Sequence, residues 1–117
     1  MNRFVFVFRG GAVAHKELAP AEVGAHLQKW MVWLSELEKK GQSEANGARL
    51  QGSGKTVRGT SKAVTDGPFA EAKDLVTGAL VIKAPTLEAA TEIAKGCPIY
   101  EYDGSVEVRP VFVERGA

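Results

Sequence analysis

His26 is the side chain of this sequence best suited to acid/base chemistry, because an imidazole exchanges its proton near neutral pH. It heads the row His26, Trp30, Trp33, Leu37, spaced i, i+4, i+7 and i+11, which sets it beside two indoles along one side of a helix. In that setting it offers a general acid or base, or else a boundary histidine with its ring half packed. The carboxylate expected to orient it is Asp66, at the head of Asp66-Gly67-Pro68-Phe69. Gly67 permits a positive φ and Pro68 holds its own φ at about −65°, so the turn can aim a charge. Lys73 follows between Glu71 and Asp74. It is placed either to bind an anionic group and steady an enolate-like charge, or to pair with those acids on the surface. Trp30 and Trp33 would wall a small substrate with apolar surface. The expectation is one pocket, bordered by His26, Asp66 and Lys73, at the end of the first helix and beneath the turn.

Other chemistries fit less well. Cys97 comes just after a helix, where the dipole opposes a thiolate, so it reads as a packed residue rather than a nucleophile. One cysteine and two histidines cannot furnish the usual four ligands of a structural zinc, and no cofactor is expected. Gly52-Ser53-Gly54-Lys55-Thr56 looks like the end of a phosphate-binding loop. The full pattern needs glycine five positions before Gly54, where Arg49 stands, and a helix should follow.

The elements that must hold these residues can be read in order. Arg3 to Arg9 is a strand with Phe4, Phe6 and Phe8 on one face and Val5 and Val7 on the other. Both faces are apolar, so both need cover. From Ala21 to Lys40 the period becomes helical, with Val23, Leu27, Trp30, Leu34 and Leu37 as the expected inner face and Gly41 beyond the end. A weakly patterned strand follows between Ser43 and Leu50, and then a Gly- and Ser-rich hairpin or loop. Val76 to Lys83 is the most convincing buried strand. A second helix begins after its cap Thr86 and stops at Gly96-Cys97-Pro98, and the last strand contains Val106, Val108 and Val111.

This order, β, α, β with a hairpin, β, α, β, predicts an α+β sandwich of the split βαβ type in one domain over residues 1–117. Two helices cover one sheet face, so the second apolar face of the first strand points to a partner subunit, simplest as a homodimer. With 15 basic and 14 acidic side chains and no basic stripe, nucleic acid is not an expected partner. No apolar run approaches the roughly 18 residues needed to cross a bilayer, and no signal-peptide pattern opens the chain. With a single cysteine, that suits a reducing cytoplasm.

Asp66-Gly67-Pro68-Phe69 with Glu71 and Lys73 behind it, the helix segment Ala25-His26-Leu27, Gly96-Cys97-Pro98 and Val106-Glu107-Val108-Arg109-Pro110-Val111 together resemble the DGPF family of YCII-related proteins. The resemblance covers nearly the whole chain. It implies a ferredoxin-like α+β fold that pairs as a dimeric α/β barrel. It also implies a His–Asp centred site, with His26 matching the family histidine. Where relatives read Asp-Pro after the second helix this chain has Cys97-Pro98, so Asp66 is the remaining acid. One relative is a dehydrochlorinase acting on a hydroxylated aromatic, and some members occur beside or fused to sigma-factor regulators. Two functions follow: a cofactor-free acid/base enzyme abstracting a proton from, or driving elimination on, a small polar or aromatic molecule, or a non-enzymatic module that binds a small ligand or regulates a partner.

Overall fold

In a computed structural model the described residues are 2–11, 17–44, 47–67 and 74–113. Strand β1 (Asn2–Arg9) runs through the middle of the sheet. Its alternation works as expected, with Phe4, Phe6 and Phe8 buried and Val5 and Val7 half-buried on the opposite face. β1 pairs antiparallel with β5 (Val76–Ala84), Phe6 opposite Leu80, and with β6 (Ser105–Pro110), Phe6 opposite Val108. A two-residue edge strand, β2 (Ala48–Arg49), and a bridge from Ser43 to Ile82 complete the order β2-β5-β1-β6. The second strand is thus much shorter than the span Ser43 to Leu50. Gly78 is why it can lie so close: a Cβ there would come 2.7 Å from the Ala48 carbonyl oxygen. With both helices on the phenylalanine face, the architecture is ferredoxin-like α+β.

Helix α1 (Pro20–Lys39) opens with Pro20 at its first position, and the Glu22 carboxylate accepts the Ala19 backbone N–H at 3.3 Å. Its inner face is not the expected one. The buried residues are His26, Trp33 and Leu37, with Trp30 packed partly against the core, while Leu27 and Leu34 are each 36% exposed and Met31 is 64% exposed. The face is turned by roughly 50° from the hydropathy stripe at 100° per residue. Trp33 stacks on Phe6 with centroids 6.3 Å apart and planes 12° apart, which anchors α1 to the middle of the sheet.

Helix α2 (Leu87–Lys95) starts as its sequence indicates, Thr86 accepting the Ala89 N–H at 3.1 Å. Ala90 and Ala94 are buried, and their small side chains let α2 lie close on the sheet. A 3-10 helix, Pro98–Tyr102, follows, with Pro98 at its first position. β3 (Lys55–Arg58) and β4 (Ala63–Asp66) make a separate two-stranded hairpin on which Val57 and Val64, opposite one another, are exposed. Lys55 and Thr56 therefore begin a strand, which removes the helix that a phosphate-binding loop requires. No helix among the described residues is long and apolar enough to cross a membrane.

Candidate functional site

The 3-10 helix carries the site's acid. Ile99 is 1% exposed and seats this segment in the core, and a Cβ on Gly104 would overlap its side chain. The Tyr100 hydroxyl donates to the Ala94 carbonyl at 2.8 Å, tying the segment back to α2. Held at both ends, Glu101 and Tyr102 are presented to α1.

His26, on α1, is 1% exposed, and both ring nitrogens are engaged. Nδ1 lies 3.1 Å from Glu101 Oε1, and Trp30 Nε1 donates to Nε2 at 3.1 Å. An indole N–H only donates, so Nε2 must be the bare, accepting nitrogen. The ring proton therefore sits on Nδ1 and is given to Glu101. This is how a titratable ring can be buried at low cost: it is neutral and both polar atoms are satisfied. The Tyr102 ring meets the imidazole edge to face, with centroids 4.7 Å apart.

The other Glu101 oxygen, Oε2, accepts from Lys29 Nζ at 2.5 Å. The Lys29 ammonium first, and the His26 hydrogen bond second, hold the Glu101 carboxyl below the usual carboxylate range. Lys29, Glu101 and His26 thus form a chain running from solvent to a buried imidazole. A carboxylate fixing one nitrogen of a histidine leaves the other as the basic position, as in nucleophile-activating triads.

His26 and Trp30 line a cavity of about 750 Å³ together with Phe8, Leu27, Met31 and Leu34. Its far wall is the segment 47–52, and Gly78 and Leu80 of β5 form part of its floor. Leu27, Met31 and Leu34, which α1 leaves exposed, are thus cavity walls, and His26, Trp30, Arg49, Gln51 and Thr77 are its polar features. Such a volume suits a small organic molecule. Glu101 and Lys29 line a separate, more open groove of about 730 Å³ beside Trp33 and Cys97.

The expected site residues are distributed differently. Asp66 ends β4 at the surface, its carboxylate 2.5 Å from Lys55 Nζ across the hairpin, and the acid on His26 is Glu101. Lys73 and the turn residues Pro68, Phe69 and Glu71 lie outside the described residues. Trp30 reaches the cavity, but Trp33 is a core residue edging the open groove. Cys97 is buried and its thiol is pushed up to about 12, with desolvation the main cause. Among the described residues no three His, Cys, Asp or Glu side chains gather as a metal set. Sequence reasoning missed Glu101, Lys29 and Tyr102. The available signal was Pro98 opening a new turn, which carries the acid three residues on.

The model of the YCII-related domain matches residues 12–115. No curated protein matches the chain. Among solved structures, the 5-chloro-2-hydroxyhydroquinone dehydrochlorinase of Burkholderia phenoliruptrix, in complex with 2,5-dihydroxybenzoquinone, aligns over 97% of this chain and 96% of its own, with 13% identity and a TM-score of 0.48.

Proposed function

From a chain that belongs to the YCII-related family, we propose an enzyme that performs acid/base chemistry with its own side chains on a small, largely apolar molecule. The observation that carries this reading is the Nδ1–H···Glu101 hydrogen bond of a histidine in the cavity wall. It leaves Nε2 as the base. On taking a proton from a substrate C–H or O–H, the ring becomes an imidazolium whose Nδ1–H still meets the Glu101 carboxylate. The electron pair left on the substrate either expels a leaving group from the neighbouring carbon or is reprotonated elsewhere. Phe8, Leu27, Met31 and Leu34 offer apolar surface to the body of such a molecule. Lys29 acts at one remove by fixing Glu101.

The experiment is a thermal-shift screen of small hydroxylated and halogenated aromatics, since a ligand of the native state raises the melting temperature. Hits are then incubated with protein and products followed by NMR. Turnover that falls about 10²- to 10⁴-fold in His26→Gln supports the reading. Turnover that is unchanged in His26→Gln overturns it.

A second reading, a ligand-binding or regulatory module, is favoured by one observation: both nitrogens of His26 are occupied by protein groups. Hits that bind and come back unaltered select it. In either case we propose a homodimer joined through the sheet face opposite the helices, where Val5, Val7, Ala79 and Val81 lie half-buried.

A further inference from the structure

We propose that Trp30 gates His26: its indole N–H caps Nε2, and a proton or ligand reaching that nitrogen must first displace it. The gate rests on reading this cavity as the ligand site. The argument is one of hydrogen count. Nε2 has a single lone pair, and Trp30 Nε1–H occupies it at 3.1 Å. Once Nε2 is protonated it becomes a donor, and two N–H groups then face each other with no acceptor between them. Protonating His26 and holding Trp30 in place are therefore mutually exclusive.

The surroundings determine which way the conflict resolves. From the 3-10 helix, Glu101 and the Tyr102 ring face the imidazole, and Lys29 on α1 steadies Glu101. These partners hold the ring where it is. Trp30 is held more loosely. It is only partly buried, and it packs edge to face on Phe8 at 5.2 Å and on Trp33 at 5.8 Å between centroids. Trp30 is thus the member of the pair that moves. As it lines the cavity, its release also changes the space a ligand enters. A ligand entering without a proton transfer must replace the indole donor with one of its own. The gate therefore selects a planar apolar body bearing a hydroxyl or N–H group over the same body without one. Trp30 is a positioning residue in this scheme, acting through His26.

The test uses the whole chain. Its two tryptophans give two indole N–H signals in a nitrogen–proton NMR spectrum. During an acid titration the Trp30 signal should move with the His26 ring resonances at one midpoint, while that of Trp33 stays. Phenol should displace the Trp30 signal and anisole, its donor-free analogue, should not. A chemical readout covers the case in which His26 resists titration until the chain unfolds. Diethyl pyrocarbonate acylates an unprotonated imidazole nitrogen, and Trp30→Phe, which keeps most of the packing but loses the donor, should raise the His26 rate about three- to tenfold. The second histidine of the chain serves as reference. A Trp30 signal that stays fixed while His26 titrates, or an equal acylation rate in Trp30→Phe, overturns the gate. The acid/base reading fails by a different result, undiminished turnover in His26→Gln, so the two can be told apart.

Discussion

Glu101 Oε1 sits 3.1 Å from Nδ1 of His26 and joins the 3-10 helix that follows α2 to the first half of α1. The folded chain holds the Glu101 carboxyl below its ordinary range, through Lys29 and then His26. It therefore gives up that proton at lower pH than the unfolded chain does. The resulting stability is present above the unfolded carboxylate range and is lost as the pH falls through the folded value. Glu101→Gln should be less stable than the parent near neutral pH, and the two should converge on acidification. Urea melts at stepped pH measure this. A gap that stays constant down to the acid limit would show that the carboxylate charge contributes nothing.

The rotation of α1 gives a mutational contrast. Trp33 is 8% exposed and stacks on Phe6, so Trp33→Ala should cost roughly 3–5 kcal/mol. Met31, two residues earlier, is 64% exposed on the cavity wall, and Met31→Ala should cost less than about 1 kcal/mol. Denaturant melts of both variants read the difference. Comparable losses would return the buried face to the hydropathy stripe.

That contrast also marks how far the sequence was legible. The strand Phe4 to Phe8, the Thr86 cap and the β-α-β-β-α-β order followed from local chemistry, and they appear in the fold. The face of α1 did not follow, because burial of His26 depends on Glu101, far away in the chain. Leu27 and Leu34 strengthened the wrong stripe because apolar residues lining a cavity have the same period as those lining a core. β2 was expected over the longer span Ser43 to Leu50 because an edge strand of two residues has too few positions to alternate and so does not mark its ends. Asp66 was expected beside His26, but its partner is fixed by hairpin register, which puts Lys55 opposite it.

Cys97 should behave as an inert thiol. Burial pushes its pKa from 9.0 up to about 12, with a hydrogen bond to the Ile99 backbone opposing. At mildly alkaline pH the native chain should resist iodoacetamide, and urea-unfolded chain should react at once. Because the folded pKa is the higher one, the unfolded chain loses its proton first. Stability should fall as the pH rises from 9.0 towards about 12. Cys97→Ala should show a shallower alkaline decline than the parent. Rapid alkylation of native protein would contradict this account.

The open face of the sheet carries the last prediction. Val5 and Val7 of β1 and Ala79 and Val81 of β5 form an apolar strip on the side away from both helices, all half-buried. Beside it Arg9 pairs with Glu107 at 3.1 Å, and Arg109 stands 3.9 Å from the same glutamate. An apolar centre with a charged margin is the pattern of a protein interface, and a self-complementary patch closes as a two-fold dimer. Sedimentation equilibrium at micromolar concentration should therefore give twice the 12.5 kDa chain mass. Val7→Lys places an ammonium at the centre of the strip, opposite Ala79 and Glu107. In the separate chain that lysine can reach water, so the monomer should stay folded. At a closed interface the charge would be desolvated, and the dimer should dissociate. A parent chain that sediments as a monomer, or a Val7→Lys dimer as tight as the parent, would place the contact elsewhere.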